Sequence, residues 1–348
     1  MIRVGDLGEF GLIDRLARLL PTSPNVLEGI GDDCAAIRVG DRVLLVSTDL
    51  SIEEVHFRRT YCDPEDIGWK AAATSLSDIA AMGGAPLFCL ASLACSPDTE
   101  AAFIERIYQG LSSAASRFGA TVVGGDTSRT PGPLTLDVMV AGEARGGRFL
   151  RRKGARIGDV LAVTGHLGLS AAGLHAIEHA RNAPTLVQIH NHPSPRVPEG
   201  QWLVGTAAAH AMIDISDGLV QDAGHLAKVN QLGVNLYPDR LPVYPPLARY
   251  CDEYGFQPKN FMLRGGEDYE LLFALGSAES KLTLEEFHRE FRTVVTVVGE
   301  FTDAWAGVRI DGEESSEGGF DHFRQVPPKG HAPRREPFPP LPEGLPDL

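Results

Sequence analysis

The sequence predicts a two-lobed protein of mixed helix and strand, in the α/β or α+β class. Segments with strand-like and helix-like periodicity alternate through both halves. The length, 348 residues, suits two domains. Between Arg145 and Arg156 six Arg or Lys residues crowd together, a composition shift that reads as a linker.

Taken in order, Gly8 to Leu20 has apolar residues at 12, 13, 16, 19 and 20, the spacing of an amphipathic helix, and Pro21 to Pro24 stops it. The run 42–49 is a strand bounded by the turn residues Gly40-Asp41. Asp63-Pro64-Glu65-Asp66 starts a helix with an N-cap, a proline and first-turn acids, and Gly83-Gly84 ends it. Pro86 to Cys95 is a buried strand, Glu100 to Phe118 an amphipathic helix, Thr121 to Asp126 a short strand running into an acid turn, and Leu134 to Ala141 an alternating strand. Past the linker come a strand from Asp159, a helix over 168–180 and a proline-rich loop over 191–199. A strand ending at Asp214 and a helix over 219–232 follow. Residues 268–275, 293–300 and 306–311 read as strands and 283–291 as a helix. Eight prolines lie between Pro327 and the end, so 327–348 reads as a loosely packed tail.

A net charge of −14 disfavours nucleic acid and anionic membrane surfaces, whose phosphates would repel the chain. Five scattered cysteines without a Cys-x-x-Cys pair point to reduced thiols in a cytoplasm rather than a disulfide frame or a zinc site. No run is apolar enough for a signal core or a membrane span. There is no Gly-x-x-x-x-Gly-Lys-[Ser/Thr] phosphate loop and no Gly-x-Ser-x-Gly elbow.

The chemistry is carried by recurring acids. Asp32-Asp33, Ser47-Thr48-Asp49, Gly124-Gly125-Asp126-Thr127 and Asp214-Ile215-Ser216-Asp217-Gly218 each set Asp beside Gly, Ser or Thr at an apolar strand or helix. Asp78 sits on a helical face of small, mostly apolar neighbours, where an unpartnered carboxylate is costly. Any one station alone is first of all a turn. Together they are too many to converge unpaired, because close like charges drive one another to protonate. Arginine partners or metal ions would resolve that. Hard oxygens with Ser and Thr hydroxyls suit Mg²⁺, and more carboxylates than one ion needs suggest several ions and polyphosphate chemistry. Arg151-Arg152-Lys153 is either a solvated linker or a phosphate fork, and the glycines at 124 and 125 would let backbone approach a phosphate. His56 is either a packing residue or a ligand contact. Gly265-Gly266-Glu267 is either a turn with a surface acid or an acid at a pocket rim.

In this order, these motifs resemble those of the thiamine-monophosphate kinases, part of the aminoimidazole-ribonucleotide synthetase-like ATP-binding superfamily. The resemblance runs over about residues 5 to 325, through Gly29-Ile-Gly-Asp-Asp-Cys-Ala, Ser47-Thr-Asp, Val55-His-Phe, Ser75-Leu-Ser-Asp-Ile-Ala-Ala-Met-Gly, Gly124-Gly-Asp-Thr, Arg152-x-Gly-Ala, Asp214-Ile-Ser-Asp-Gly-Leu and Gly265-Gly-Glu-Asp-Tyr-Glu-Leu. It implies an α+β two-lobed aminoimidazole-ribonucleotide synthetase-like fold: an N-terminal ATP- and Mg-binding domain over 1–145, a C-terminal domain over 146–326 and the tail. It also implies a homodimer in which the N-terminal lobe forms a barrel across the two copies. The implied reaction is phosphorylation of thiamine phosphate by ATP. The implied Mg²⁺ ligands are Asp33, Ser47, Thr48, Asp49, Asp78, Asp126, Asp214 and Asp217. Tyr108, Gly125, Asp126, Arg152 and Ser216 would contact ATP, and His56, Glu267 and Phe320 would line the thiamine phosphate site. No general base is implied, because a phosphate monoester acceptor is already largely dianionic at neutral pH, its second pKa being about 6. The alternatives are another ATP-dependent synthetase of the superfamily and a non-catalytic nucleotide-binding regulator.

Overall fold

A computed structural model describes residues 2–315 and residue 323. The first half holds helix α1 (Val4–Ala17), strands β1 (Val26–Glu28), β2 (Ala35–Val39) and β3 (Arg42–Ile52), helix α2 (Pro64–Ala81), strand β4 (Ala85–Cys95), helix α3 (Ala101–Arg117), and strands β5 (Thr121–Arg129) and β6 (Thr135–Glu143). The second half holds β7 (Val160–Thr164), α4 (Leu169–Glu178), α5 (Pro184–Asn191), α6 (Val197–Gly205), β8 (Ala209–Asp214), α7 (Leu219–Asn230) and β9 (Gly233–Leu236). It continues with α8 (Pro245–Tyr254), α9 (Pro258–Arg264), β10 (Leu271–Leu275), α10 (Ser277–Glu290), β11 (Val295–Thr302), β12 (Gly307–Ile310) and β13 (Glu313–Glu314).

The strands form two open sheets, of order β1-β2-β3-β6-β4-β5 and β13-β12-β9-β11-β7-β10-β8. Two lobes of mixed α and β structure are therefore present. The barrel expected of the N-terminal lobe is not: among the described residues no sheet closes. The crossover through α3 lays β5 parallel to β4 at the edge of its sheet, while β1, only three residues long, ends the other edge, and nothing pairs the two.

Helix α2 joins the lobes. Asp63 caps it, accepting a hydrogen bond from the Glu65 amide at 3.0 Å. Its Ala71, Leu76 and Ile79 pack into the N-terminal core with Leu45, Val138 and Val140. Its Ala80 and Ala81 pack into a separate core with Leu203, Met212 and Phe273 of the second half. A helix buried on both sides has no wide polar face, and this explains the alanine-rich sequence around Asp78.

Three elements differ from the sequence reading in ways that move the site. β3 runs on to Ile52, so Ser47, Thr48 and Asp49 lie within the strand rather than at its tip. β5 runs on to Arg129, so Asp126 is a strand residue and not a turn acid, because β4 continues to pair with it as far as Cys95. The proline-rich stretch 191–199 holds the start of α6, with Pro198 in its first turn, where a missing N–H costs nothing.

Candidate active site

Four acids meet where the lobes join. Asp33 follows β1, Asp49 lies on β3, Asp78 on α2, and Asp214 ends β8. Oxygen atoms of Asp33, Asp78 and Asp214 all lie within 4.8 Å of one another. Ser47 donates a short hydrogen bond to Asp78, and Ser77 donates to Asp214 at 2.6 Å. Strand alternation explains why Ser47 and Asp49 reach this cluster together. Thr48, between them, turns to the other face, where it donates to Asp137 at 2.7 Å. Asp126 falls on that other face too, since Asp126, Ser92, Asp137 and Leu50 form one row across four strands. The expected ligand set is thus divided by the sheet: Asp33, Ser47, Asp49, Asp78 and Asp214 on the covered face, Thr48 and Asp126 on the open one.

Asp217 lies in a second group with Asp222 and His225. The buried Asp222 accepts the amides of Asp217 at 3.2 Å and Gly218 at 3.0 Å, and so fixes the turn that carries Ser216 and Asp217. Asp222 was not anticipated, and only its place four residues after Gly218 on a helix could have signalled it.

The charges at the junction are strained. Burial, then repulsion from Asp49, Asp214 and Asp33, raises the Asp78 carboxyl well above its ordinary value. Burial and Asp33 push Asp214 up to about 7, and burial and Asp33 push Asp32 up to about 7. Burial also raises Asp49. Oδ2 of Asp33 and Oδ2 of Asp49 are buried with no hydrogen-bond partner. An all-oxygen donor set with excess negative charge and two orphaned acceptors fits Mg²⁺.

Arg152 is the basic complement. Its guanidinium donates to Asp33 Oδ1 through Nη2 at 2.6 Å and Nε at 3.2 Å, and its amide donates to Asp32 at 3.1 Å. Burial works against its charge, but Asp33, Asp214 and Asp32 hold the guanidinium firmly protonated. Of the two remedies for crowded carboxylates, an arginine is present, and it leaves Oδ2 of Asp33 and Oδ2 of Asp49 without a partner.

The remaining residues surround this centre. Gly125 is exposed on β5, and a Cβ there would come within 1.8 Å of the Ala91 carbonyl, so the strand pairing itself requires glycine. Tyr108 donates to that same carbonyl at 3.3 Å. The Ser216 carbonyl accepts the Glu267 amide at 2.8 Å, and a Cβ on Gly266 would meet it at 2.3 Å. His56 accepts the Ile52 amide through Nδ1 at 3.0 Å. Glu267 pairs with Lys70 at 2.9 Å, a partner sequence reading missed because 197 positions separate them. Phe320 lies outside the described residues. No helix among those described is long and apolar enough to cross a membrane.

Family models for the AIR synthase related protein match twice, the N-terminal domain over residues 31–144 and the C-terminal domain over 156–312. A thiamine-monophosphate kinase from Aquifex aeolicus is 36% identical over 327 residues, covering 92% of this chain and 100% of that protein. The chain belongs to the thiamine-monophosphate kinase family. The Escherichia coli thiamine-monophosphate kinase is 35% identical, over 91% of this chain and 98% of that one. A solved structure described as AaThiL complexed with AMPPCP and TMP superposes with a TM-score of 0.83 at 36% identity, covering 92% of this chain and 99% of that chain. The kinase family and the fold are thereby established together.

Proposed function

We propose that the lobe junction is where this chain transfers a phosphoryl group from ATP to thiamine phosphate, giving thiamine diphosphate and ADP. The chain is an ATP-dependent kinase, as its family membership requires. The observation that carries the location is the convergence of Asp33, Asp78 and Asp214 beside orphaned oxygens of Asp33 and Asp49.

Mg²⁺ ions held by Asp33, Ser47, Asp49, Asp78 and Asp214, with Thr48 and Asp126 on the open face of the sheet and Asp217 in the second group as ligands of separate ions, would neutralise the charge that keeps two phosphates apart. The chain's own residues position the reactants. Arg152, anchored on Asp32 and Asp33, presents its guanidinium edge to ATP, with Tyr108, Gly125, Asp126 and Ser216 around the nucleotide. His56, Glu267 and Phe320 receive the acceptor. The acceptor phosphate needs no base, so direct in-line transfer is a matter of orientation and charge.

The working division of the chain is an ATP- and Mg-binding domain over 1–145, a second domain over 146–326 and a tail over 327–348. A homodimer is part of the proposal. β5 is a nine-residue edge strand exposed along nearly its whole length, with Val123 60% exposed, and bare edges of that kind invite a partner. The deciding assay incubates the chain with ATP, Mg²⁺ and thiamine phosphate and follows thiamine diphosphate by chromatography. Stoichiometric thiamine diphosphate and ADP are expected. ADP with no thiamine diphosphate would refute the acceptor.

A further inference from the structure

We propose that Lys70 is a further acceptor-site residue, which with Glu267 holds the neutral aminopyrimidine end of thiamine phosphate; this rests on the acceptor named above. Lys70 comes from α2 in the first lobe. Its ammonium lies 2.9 Å from Glu267 Oε1 and 3.3 Å from His190 Nε2 of the second. The other ring nitrogen of His190 is 2.9 Å from the Ser170 hydroxyl, and His190 is buried. Burial and the neighbouring Lys70 bring His190 down to about 3, so its imidazole is neutral and its Nε2 can accept from the ammonium. One ammonium hydrogen is thus directed to a carboxylate and one to an imidazole.

The loop that presents Glu267 is specially built. Glu267 and Tyr269 both take left-handed backbone, with φ of 63° and 52°. Their amides bond to the carbonyls of Ser216 and Ile215 at 2.8 and 2.9 Å, which lashes the loop to the strand end carrying Asp214. Non-glycine residues held this way concentrate where geometry matters to function.

Three arguments direct the pair to the ring. First, position: Lys70 and Asp78 are eight residues apart on one helix, about 12 Å at 1.5 Å per residue. An acceptor whose phosphate is at the acid cluster cannot have that phosphate at Lys70. The far end of the molecule reaches this level instead, and that end is the aminopyrimidine. Second, charge: although burial works the other way, the Lys70 ammonium holds the Glu267 carboxyl below its ordinary value. An ionised Glu267 beside an ammonium makes a neutral pair, which is a poor counter-ion for the thiazolium. Third, hydrogen bonding: the pair sets a donor beside an acceptor, and the ring offers an acceptor nitrogen beside a donor amino group.

The test compares wild type, Lys70→Met and Lys70→Arg in the full chain. Two acceptors are used: thiamine phosphate, and the phosphate ester of an N-methylated hydroxyethylthiazolium, which lacks the pyrimidine. Lys70→Met should raise the KM for thiamine phosphate about tenfold or more and leave the KM for ATP within about twofold. Lys70→Arg should recover most of the loss, and the truncated acceptor should not distinguish Lys70→Met from wild type. Equal losses on both acceptors, or equal rises in both KM values, would overturn the proposal and make Lys70 a phosphate contact or a tie between lobes. If Lys70→Met does not fold, as judged by its melting curve, Lys70→Gln is read by the same split. Failure of wild type to use thiamine phosphate at all would instead remove the acceptor assignment.

Discussion

Two buried charge clusters sit a short way apart in this molecule, and they are built on opposite principles. In one, Arg196 donates to Glu270 through Nη2 at 2.6 Å and Nε at 2.7 Å, and Thr164 adds a third hydrogen bond at 2.6 Å. No buried side-chain atom of Arg196 or Glu270 is left without a partner. In the other, Asp33, Asp49, Asp78 and Asp214 face a single guanidinium, and two of their oxygens have no partner. The first cluster satisfies itself and holds β10 to the start of α6. The second leaves buried acceptors unpaired and holds more negative charge than its arginine balances. Burial of charge therefore does not identify a functional centre; an imbalance of buried charge does.

The comparison can be broken by substitution. Asp78→Asn or Asp49→Asn should lower kcat on the order of 10³-fold, about 4 kcal/mol in barrier, without loss of the folded state. Turnover near wild type at saturating Mg²⁺ would take these residues out of the centre. Arg196→Met should do the reverse: it strands the Glu270 carboxylate and should cost about 3 kcal/mol of stability, while the surviving folded fraction keeps its kcat. A melting temperature unchanged from wild type would show that the pair is not structural.

A third effect lies in pH. Asp214 and Asp32 are raised to about 7 from an ordinary 3.8. Between those values the folded chain keeps protons that the unfolded chain has released, so stability falls as pH rises through the window. Metal-free protein should melt at a lower temperature at pH 8 than at pH 5.5. Excess Mg²⁺ at pH 8 should recover it. A metal-free melting temperature that climbs from pH 5.5 to 8 would contradict the raised carboxyls.

Much of this was legible in the chain. The caps and periodicity of α2 and α3 located both helices to within a residue or two, because an N-cap, a first-turn proline and a glycine stop are local signals. Asp49 and Asp214 drew notice as carboxylates after apolar strands, and Asp78 as a carboxylate on a small, mostly apolar helix face. The barrel was misjudged for a reason of another kind: closure depends on which edges meet, and no residue pattern within a strand encodes that. Asp126 was read as a turn acid since Gly124-Gly125 is local turn chemistry, whereas pairing with β4 keeps the strand extended. Lys70 had no signal, being one lysine on a helix.

By itself the sequence determined the inventory: which oxygens are available, where helices begin, and how strands alternate. Those follow from interactions a few residues long. Tertiary structure decided which of the acids face one another, that Arg152 spends its fork on Asp33, and that Glu267 meets Lys70 across the junction. These are contacts between residues far apart in the chain, from 45 positions for Asp33 and Asp78 to 197 for Lys70 and Glu267, fixed by how two sheets pack around α2, and no local preference encodes them.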